Sequence, residues 1–234
     1  MESDNQPSLR SPQRGRAVEY LLCFAVREEL QHLPKPAGGA DSVPYVALVT
    51  GMGRRNASEG IREALGRIRP RTILTCGFAG GLNPKLPLGT VVFDEDAEVG
   101  FSEALIELGA LRGKFYCSKR VAITAAEKFE LWQSTRADAV EMESSVIRTI
   151  AREFRIPSAT IRVISDTAHD DLPLDFNALM TGDDRINYGK VLLSLLKAPQ
   201  RIPGLIEFQK QTVEASKRLG NVLSELMRMR RNIC

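Results

Sequence analysis

The stretch ADAVEMESSVIRTIAREFRIPSATIRVISD, residues 137–166, contains two apolar runs that each end in acidic residues, with a helix-like segment between them. The first run ends at Glu141, Met142 and Glu143, and the second ends at Asp166. A strand, a helix and a second strand in this order predict a βαβ unit with parallel strands. Because ligands of open α/β sheets bind at the carboxyl ends of the strands, both acidic clusters are predicted to lie at one ligand-binding edge.

The rest of the chain shows the same alternation of strands and helices. Strands are predicted at Ala17–Val26, Val43–Val49, Arg71–Cys76, Thr90–Phe93, around Phe115–Thr124, Ala137–Met142 and Ala159–Ile164. Helices are predicted at Asn56–Arg67 with Asn56 as the cap, at Ala125–Thr135 and at Ser144–Phe154, where Pro157 prevents continuation. Strands that alternate with helices of this length indicate an α/β protein with a mainly parallel sheet.

The two ends of the chain have different patterns. Residues 1–16 are polar and contain no apolar segment of the secretory type, so we expect a disordered tail followed by one domain over residues 17–234. Apolar residues recur at helical spacing from about 204 to 230, including Phe208, Ala215 and Leu219. This stripe predicts a C-terminal helix, which either packs on its own domain or contributes to a subunit interface.

Composition argues against several classes of protein. The net charge of +3 is too small to indicate a nucleic-acid-binding protein, and no apolar run approaches the roughly 20 residues that span a bilayer. The four cysteines form no CxxC pair, which argues against a zinc site and for core thiols in a reducing compartment, the cytoplasm. His32 and His169 are the only histidines, so no metal site is expected.

Two glycine-rich segments follow predicted strands. The TGMG segment at residues 50–53 lacks a complete phosphate-loop pattern, so it is either a tight turn or a weak phosphate-binding signal. The GFAGG segment at residues 77–81 has four small residues in five, which would let a ligand approach the backbone closely. For Glu143 and Asp166, the alternative to a functional role is a solvated acid at a loop or helix start.

Several motifs in a fixed order carry a resemblance to a known family. They are GFAGGL (77–82), LGTVV (88–92), AVEME (139–143), IP (156–157) and RVISD (162–166). Over about residues 17–195 the chain resembles the nucleoside phosphorylase and nucleosidase superfamily, especially its methylthioadenosine/adenosylhomocysteine nucleosidase branch. The resemblance implies a single three-layer αβα domain with a mixed, mainly parallel central sheet that partly closes into a barrel.

The resemblance also implies an activity. It is the hydrolysis of the N-glycosidic bond of a purine nucleoside, with a 5′-modified adenosine as the favoured substrate, no cofactor and a homodimer or higher assembly. Asp166 would protonate N7 of the departing base, and Glu29 would activate the attacking water. Glu143 would accept hydrogen bonds from the ribose 2′- and 3′-hydroxyls, and its charge would favour the cationic sugar.

Further residues take supporting roles by the same resemblance. Ser165 and Arg162 would orient Asp166, and Met142 would pack against the sugar. The remaining expected contacts are the backbone of Phe78, Ala79 and Gly80 along the pocket and the ring of Phe129 on the base.

The chain departs from the family pattern at two positions. Thr75 stands where phosphorylases have an arginine that holds phosphate, and Phe78 stands where a hydroxyl residue is usual. Arg54 and Arg55 could replace the missing cation, which leaves a phosphorylase as an alternative. A non-catalytic nucleoside-binding protein is a further alternative. The apolar Phe78 resembles the hopanoid-associated branch, whose substrate is an adenosine bearing a large lipid.

Overall fold

The computed structural model describes residues 16–33, 45–179 and 198–231, so the predicted disordered tail lies outside the described residues except for Arg16. The strands are β1 Arg16–Phe24, β2 Tyr45–Val49, β3 Ile68–Gly81, β4 Val91–Glu95, β5 Leu111–Arg112, β6 Phe115–Cys117, β7 Ala139–Glu141 and β8 Ser158–Asp166. The helices are α1 Gly53–Arg67, α2 Ser102–Glu107, α3 Ala125–Thr135, α4 Ser144–Glu153, α5 Phe176–Leu179 and α6 Ile202–Arg231, with 3₁₀ turns at Arg27–Leu30 and Pro199–Arg201.

These eight strands form one sheet in the order β2-β1-β3-β8-β4-β5, while β7 pairs with the end of β3 and β6 pairs with β7. Strand β1 is parallel to β2 and β3, β3 is parallel to β8, β4 to β5 and β6 to β7. The pairs β3–β7 and β4–β8 are antiparallel. Because β3 is parallel to β8, β7 runs antiparallel to β8, so the parallel βαβ unit predicted over residues 137–166 is wrong. The predicted mixed, mainly parallel sheet is confirmed.

Helices cover both faces of this sheet, because alternate side chains of each strand point to opposite sides. On one face, Leu22 and Phe24 of β1 join a buried cluster with Leu219 and Leu223 of α6. On the other face, Leu21 and Cys23 of β1 join a second cluster with residues of α1 and α4. The three-layer αβα architecture is thereby confirmed, and the apolar stripe of α6 packs on its own domain.

The sequence suggested that the GFAGG segment follows a strand as a loop, and this is wrong. It is the second half of β3, which runs without interruption to Gly81. Its register with β8 places Gly77 opposite Arg162 and Gly80 opposite Asp166, with a shift between Ala79 and Gly80. Strand β8 is buried along its whole length, so its backbone needs a partner strand here, and β3 supplies it.

Some helix and strand bounds also differ from the predictions. Helix α3 has the predicted bounds, whereas α1 begins at Gly53 and not at Asn56. The Asn56 side-chain amide donates to the Met52 carbonyl, and the Gly53 N–H donates to the Glu143 carboxylate, so a tertiary contact starts the helix earlier. The predicted strand from Phe115 to Thr124 is only three residues long, as β6.

Helix α6 also supports a distant segment, the 3₁₀ turn at Arg27–Leu30. The Ser216 hydroxyl donates to the Glu28 carbonyl at 2.8 Å and lies 3.1 Å from His32 Nδ1. Gly220 allows this approach, because a side chain there would collide with the His32 backbone. None of the helices in the described parts of the chain has the length and apolarity needed to cross a bilayer.

Candidate active site

A buried arginine organises one half of the site. Arg162 is 2% exposed and extends from β8 toward three glutamates. Its Nη2 lies 2.9 Å from Glu141 and 3.3 Å from Glu143, and its Nη1 lies 3.8 Å from Glu29. Nη2 also donates to the Thr75 hydroxyl at 3.1 Å. One cation therefore faces three buried carboxylates, and the cluster carries excess negative charge when all of them are ionised.

Glu29 is held by backbone donors. One carboxylate oxygen accepts the N–H groups of Ala25 at 2.7 Å and Val26 at 3.1 Å, and the other accepts the N–H of Phe78 at 2.8 Å. Burial raises the pKa of Glu29 above its ordinary value, while Arg162 and these N–H groups oppose the rise. The turn at residues 27–30 thus fixes this carboxylate against the middle of β3.

Glu143 stands between β7 and α4. Its Oε1 accepts the N–H of Gly53 at 2.9 Å, and its Oε2 faces Arg162. Burial raises its pKa to about 7, with Arg162 opposing and the neighbouring Glu141 contributing to the rise. Glu143 is the N-cap residue of α4, but its side chain makes no capping hydrogen bond and is buried, so the alternative of a solvated acid at a helix start does not explain its place.

The side chain of Glu141 accepts hydrogen bonds at the start of α4, which the side chain of Glu143 does not. Its oxygens accept the N–H groups of Glu143 at 2.9 Å and Ser144 at 2.7 Å, and the Ser144 hydroxyl at 2.7 Å. This network fixes the backbone of the EME segment and so aims the Glu143 side chain toward Gly53 and Arg162.

A glycine is required where the cluster meets β3. Gly77 has a φ of +148°, and a Cβ at this position would overlap the Glu29 carboxylate and the Arg162 guanidinium. The absence of a side chain at Gly77 therefore leaves the space in which the two charged groups meet.

Asp166 forms the other half of the site, at the end of β8. It is buried, and its Oδ1 accepts the Ser165 hydroxyl at 2.8 Å. Its Oδ2 lies 2.5 Å from Nζ of Lys128, a fully buried residue of α3. Burial raises the pKa of Asp166, and the Lys128 ammonium opposes this rise. Gly80 is paired with Asp166 across the two strands, and a Cβ at Gly80 would lie 3.2 Å from Oδ2.

The structure therefore brings Glu29, Glu143 and Asp166 to the same end of the sheet, along the second half of β3. Ala79 is buried there, while Phe78 and Met142 are half-buried. The predicted contact between Ser165 and Asp166 is present.

One expected contact is wrong, that of Arg162 with Asp166, and the contact of Phe129 with the base stays a prediction. Arg162 does not orient Asp166, because four residues along a strand separate their backbones by about 13 Å and the guanidinium turns toward the glutamates. Phe129 is 56% exposed, and its ring packs on Trp132 at a centroid distance of 6.2 Å. The neighbouring residue of α3, Lys128, points inward instead.

Sequence reasoning missed Lys128 and the structural role of Glu141. A signal for Lys128 existed in the capping box of α3, in which Glu127 N donates to the Thr124 hydroxyl at 3.1 Å. This box fixes the start of the helix and therefore which residue of its first turns faces the sheet.

Comparison with known proteins agrees with this architecture. The sequence model described as "Phosphorylase superfamily" matches residues 37–106 and 106–198, which is more than half of the chain. The chain belongs to the phosphorylase superfamily. A related protein, the 5′-methylthioadenosine/S-adenosylhomocysteine nucleosidase of Geobacillus thermodenitrificans, is 24% identical over 197 residues, covering 70% of this chain and 83% of the relative.

Several solved structures share the fold of this chain at low identity. The Campylobacter jejuni 5′-methylthioadenosine/S-adenosylhomocysteine nucleosidase aligns with a TM-score of 0.63 and 15% identity over 91% of this chain and 99% of that chain. The futalosine hydrolase of Helicobacter pylori aligns with a TM-score of 0.61 and 15% identity over 89% and 97%. The Streptococcus pyogenes S-adenosylhomocysteine nucleosidase, in complex with 5-methylthiotubericidin, aligns with a TM-score of 0.63 and 16% identity over 91% and 97%.

Proposed function

We propose that this protein is a nucleosidase, which hydrolyses the N-glycosidic bond of a purine nucleoside and releases the base. The observation that carries the proposal is the convergence of three buried carboxylates, Glu29, Glu143 and Asp166, on the glycine-rich half of β3. The superfamily match and relatives named as nucleosidases or hydrolases support it. The favoured substrate is a 5′-modified adenosine.

The proposed chemistry divides the three carboxylates by what surrounds them. Asp166 serves the base: burial favours its protonated form, so it can donate to N7 as the bond to the sugar breaks. Glu143 serves the sugar: it accepts hydrogen bonds from the ribose hydroxyls, and its negative charge stabilises the oxocarbenium character of the ribose carbon.

Glu29 is the proposed base that accepts a proton from the attacking water. Its two oxygens already accept three backbone N–H groups, and an ionised carboxylate has about four acceptor sites, so one site remains for a water proton. Its raised pKa makes it a stronger base than an exposed glutamate. Met142 and the backbone of residues 78–80 complete the proposed pocket wall.

Charge favours water over phosphate as the acceptor. The only cation of the glutamate cluster within the described residues is Arg162, which already faces three carboxylates. Arg54 and Arg55 are exposed on the first turn of α1, where Arg55 pairs with Glu59. A phosphate dianion beside the cluster would be repelled without a compensating partner.

Phe78 bears on the 5′ substituent. It is half-buried, its backbone N–H is bound by Glu29, and its side chain offers no hydroxyl. An apolar side chain on this wall favours a 5′ group with apolar surface over a charged one.

The test is release of base from a panel of purine nucleosides, each incubated with and without phosphate and analysed by chromatography. We expect free base and a reducing sugar in the absence of phosphate. Asp166→Asn should lower the rate by roughly 10²–10⁴-fold, the usual contribution of a general acid. Glu63→Gln, which changes a carboxylate on the exposed face of α1, should leave the rate unchanged.

Other outcomes would assign the protein elsewhere. Turnover that strictly requires phosphate would identify a phosphorylase. Binding of nucleosides without turnover under any condition would identify a non-catalytic binding protein.

We also propose that the enzyme is a homodimer in the cytoplasm. Cys23 and Cys76 are buried free thiols in the sheet, which fits a reducing compartment. Exposed apolar side chains such as Ile106 and Leu111 offer surface for a partner copy. Light scattering on the purified protein should give twice the mass of one chain, and the mass of a single chain would contradict the dimer.

A further inference from the structure

Lys128 is an unusual residue for its position. It is 0% exposed, and all three of its donor positions are used: Nζ lies 2.5 Å from Asp166 Oδ2 and donates to the carbonyls of Thr167 and Asp170 at 2.8 Å each. Lysine is almost never fully buried unless it is paired, because removing an ammonium from water is costly. The fold therefore accepts a costly charge at the carboxylate that we propose meets the base.

Neighbouring ionisable groups do not neutralise Lys128 in place of Asp166. The carboxylate of Asp170 is bound by the N–H and hydroxyl of Thr167, and that of Asp171 accepts the N–H of Ala125. Glu127 accepts backbone N–H groups at the start of α3, and His169 is exposed. Among the described residues, the carboxylate within ion-pair distance of Nζ is that of Asp166.

The pair also resolves a difficulty in the proposed chemistry. Burial favours protonated Asp166 and the ammonium at 2.5 Å opposes this; whenever Asp166 is ionised, its carboxylate is a good acceptor but has no proton of its own to give. Taken together, however, the ammonium and the carboxylate share one transferable proton, so the pair and not either residue is the acid.

We propose that Lys128 is the source of the proton that the departing base receives, acting through Asp166; this inference rests on the proposed nucleosidase function. As the bond between the ribose carbon and N9 breaks, its electron pair moves into the purine. Nζ of Lys128 gives a proton to the Asp166 carboxylate, and Asp166 passes a proton on to N7, so that Asp166 is ionised again after the transfer. Water forms the new bond to the ribose carbon and gives its proton to Glu29. The cycle ends with neutral lysine, ionised Asp166 and protonated Glu29, and Glu29 returns its proton to the lysine through solvent.

Two substitutions separate proton supply from charge and packing. Lys128→Arg keeps a positive charge and N–H donors, but arginine does not lose its proton in proteins. Lys128→Gln keeps an N–H donor without the positive charge, and it is the second test variant if arginine does not fit the buried position. Lys114→Arg is the matched control, because Lys114 is away from Asp166 and its Nζ donates to the Thr135 carbonyl.

The decisive measurement compares two leaving groups. A purine needs a proton to leave, whereas the nitrophenolate of 4-nitrophenyl β-D-riboside does not. We expect Lys128→Arg and Lys128→Gln to lower kcat for the purine nucleoside by 10²-fold or more, with little change in KM, and to keep kcat for the nitrophenyl riboside within a few-fold of wild type. A residue that only held the fold would lower both rates together.

The pH dependence gives an independent readout. With Lys128→Gln, the acid must be Asp166 alone, so purine release should persist at low pH and its alkaline limb should move to lower pH than in wild type. Wild-type kcat and pH profile in Lys128→Arg, or equal losses for both leaving groups, would overturn the inference. Absence of base release by wild type would instead contradict the proposed function, so the two failures are distinguishable.

Discussion

Replacing Glu143 by glutamine should make the protein more stable at alkaline pH while it removes activity. Glu143 is buried, and burial raises its pKa from the ordinary value of 4.5 to about 7. A difference of this size corresponds to roughly 3 kcal/mol between the two protonation states. Because the folded-state pKa is the higher one, the folded protein binds a proton that the unfolded chain has released between these two values.

The sign follows from this difference. The stability that the protonated group contributes is fully present below pH 4.5 and is lost as pH rises to about 7. Wild type should therefore lose up to about 3 kcal/mol across this window from Glu143, and Glu143→Gln should not. The difference in unfolding free energy between variant and wild type should rise with pH and level off above 7.

Urea unfolding at intervals from pH 4.5 to 8.5 measures this difference curve directly. Glu59→Gln, an exposed partner of Arg55 on α1, is the control, and its difference curve should stay within about 1 kcal/mol at every pH. A flat difference curve for Glu143→Gln, or a variant less stable than wild type at pH 8, would refute the conclusion that burial raises the pKa of Glu143. The base-release rate of the variant should fall at all pH values, because the charge that favours the cationic sugar is gone.

Two further predictions test other parts of the fold. Leu223→Ala on the buried stripe of α6 should lower the free energy of unfolding by about 2–5 kcal/mol, measured by chemical unfolding. Ile206→Ala, at an exposed position of α6, should change it by no more than about 0.5 kcal/mol. Equal effects would contradict packing of the stripe on its own domain. Gly77→Ala should abolish base release and destabilise the protein, because its Cβ would overlap the Glu29 carboxylate and the Arg162 guanidinium. The control Gly66→Ala in α1, which has open space around it, should be neutral or stabilising by up to about 1 kcal/mol. Activity retained in Gly77→Ala would show that the glutamate cluster tolerates displacement.

Much of the fold could be predicted because its signals are local. Helix α3 has a capping box at Thr124 and Glu127, and its predicted bounds are those found. Strand β8 is indicated by a run rich in Ile, Val and Thr that ends at Asp166. The common location of Glu143 and Asp166 was predicted from the rule for the carboxyl ends of parallel strands, but β7 is antiparallel to β3 and therefore to β8. Glu143 comes near the site because β7 runs back along the end of β3, which no local pattern indicated.

The remaining features depend on contacts that no local pattern encodes. The glycine segment reads as a turn, but it continues β3 because β8 needs a partner. Helix α1 begins early because Gly53 binds a carboxylate 90 residues away. In α3 the apolar Phe129 is exposed and the charged Lys128 is buried, the reverse of the usual preference, because an ion pair with Asp166 compensates the lysine.

The contact between Ser216 and the turn that carries Glu29 has a consequence for how the site forms. The hydrogen bond from Ser216 to the Glu28 carbonyl joins residues 188 positions apart. Contacts of such long sequence separation form late in folding, since the entropy of closing the intervening chain must first be offset. The turn gains this support only when α6 is docked on the domain. Completion of the proposed catalytic centre therefore requires the docking of α6, and a chain in which α6 is undocked would lack this support for Glu29.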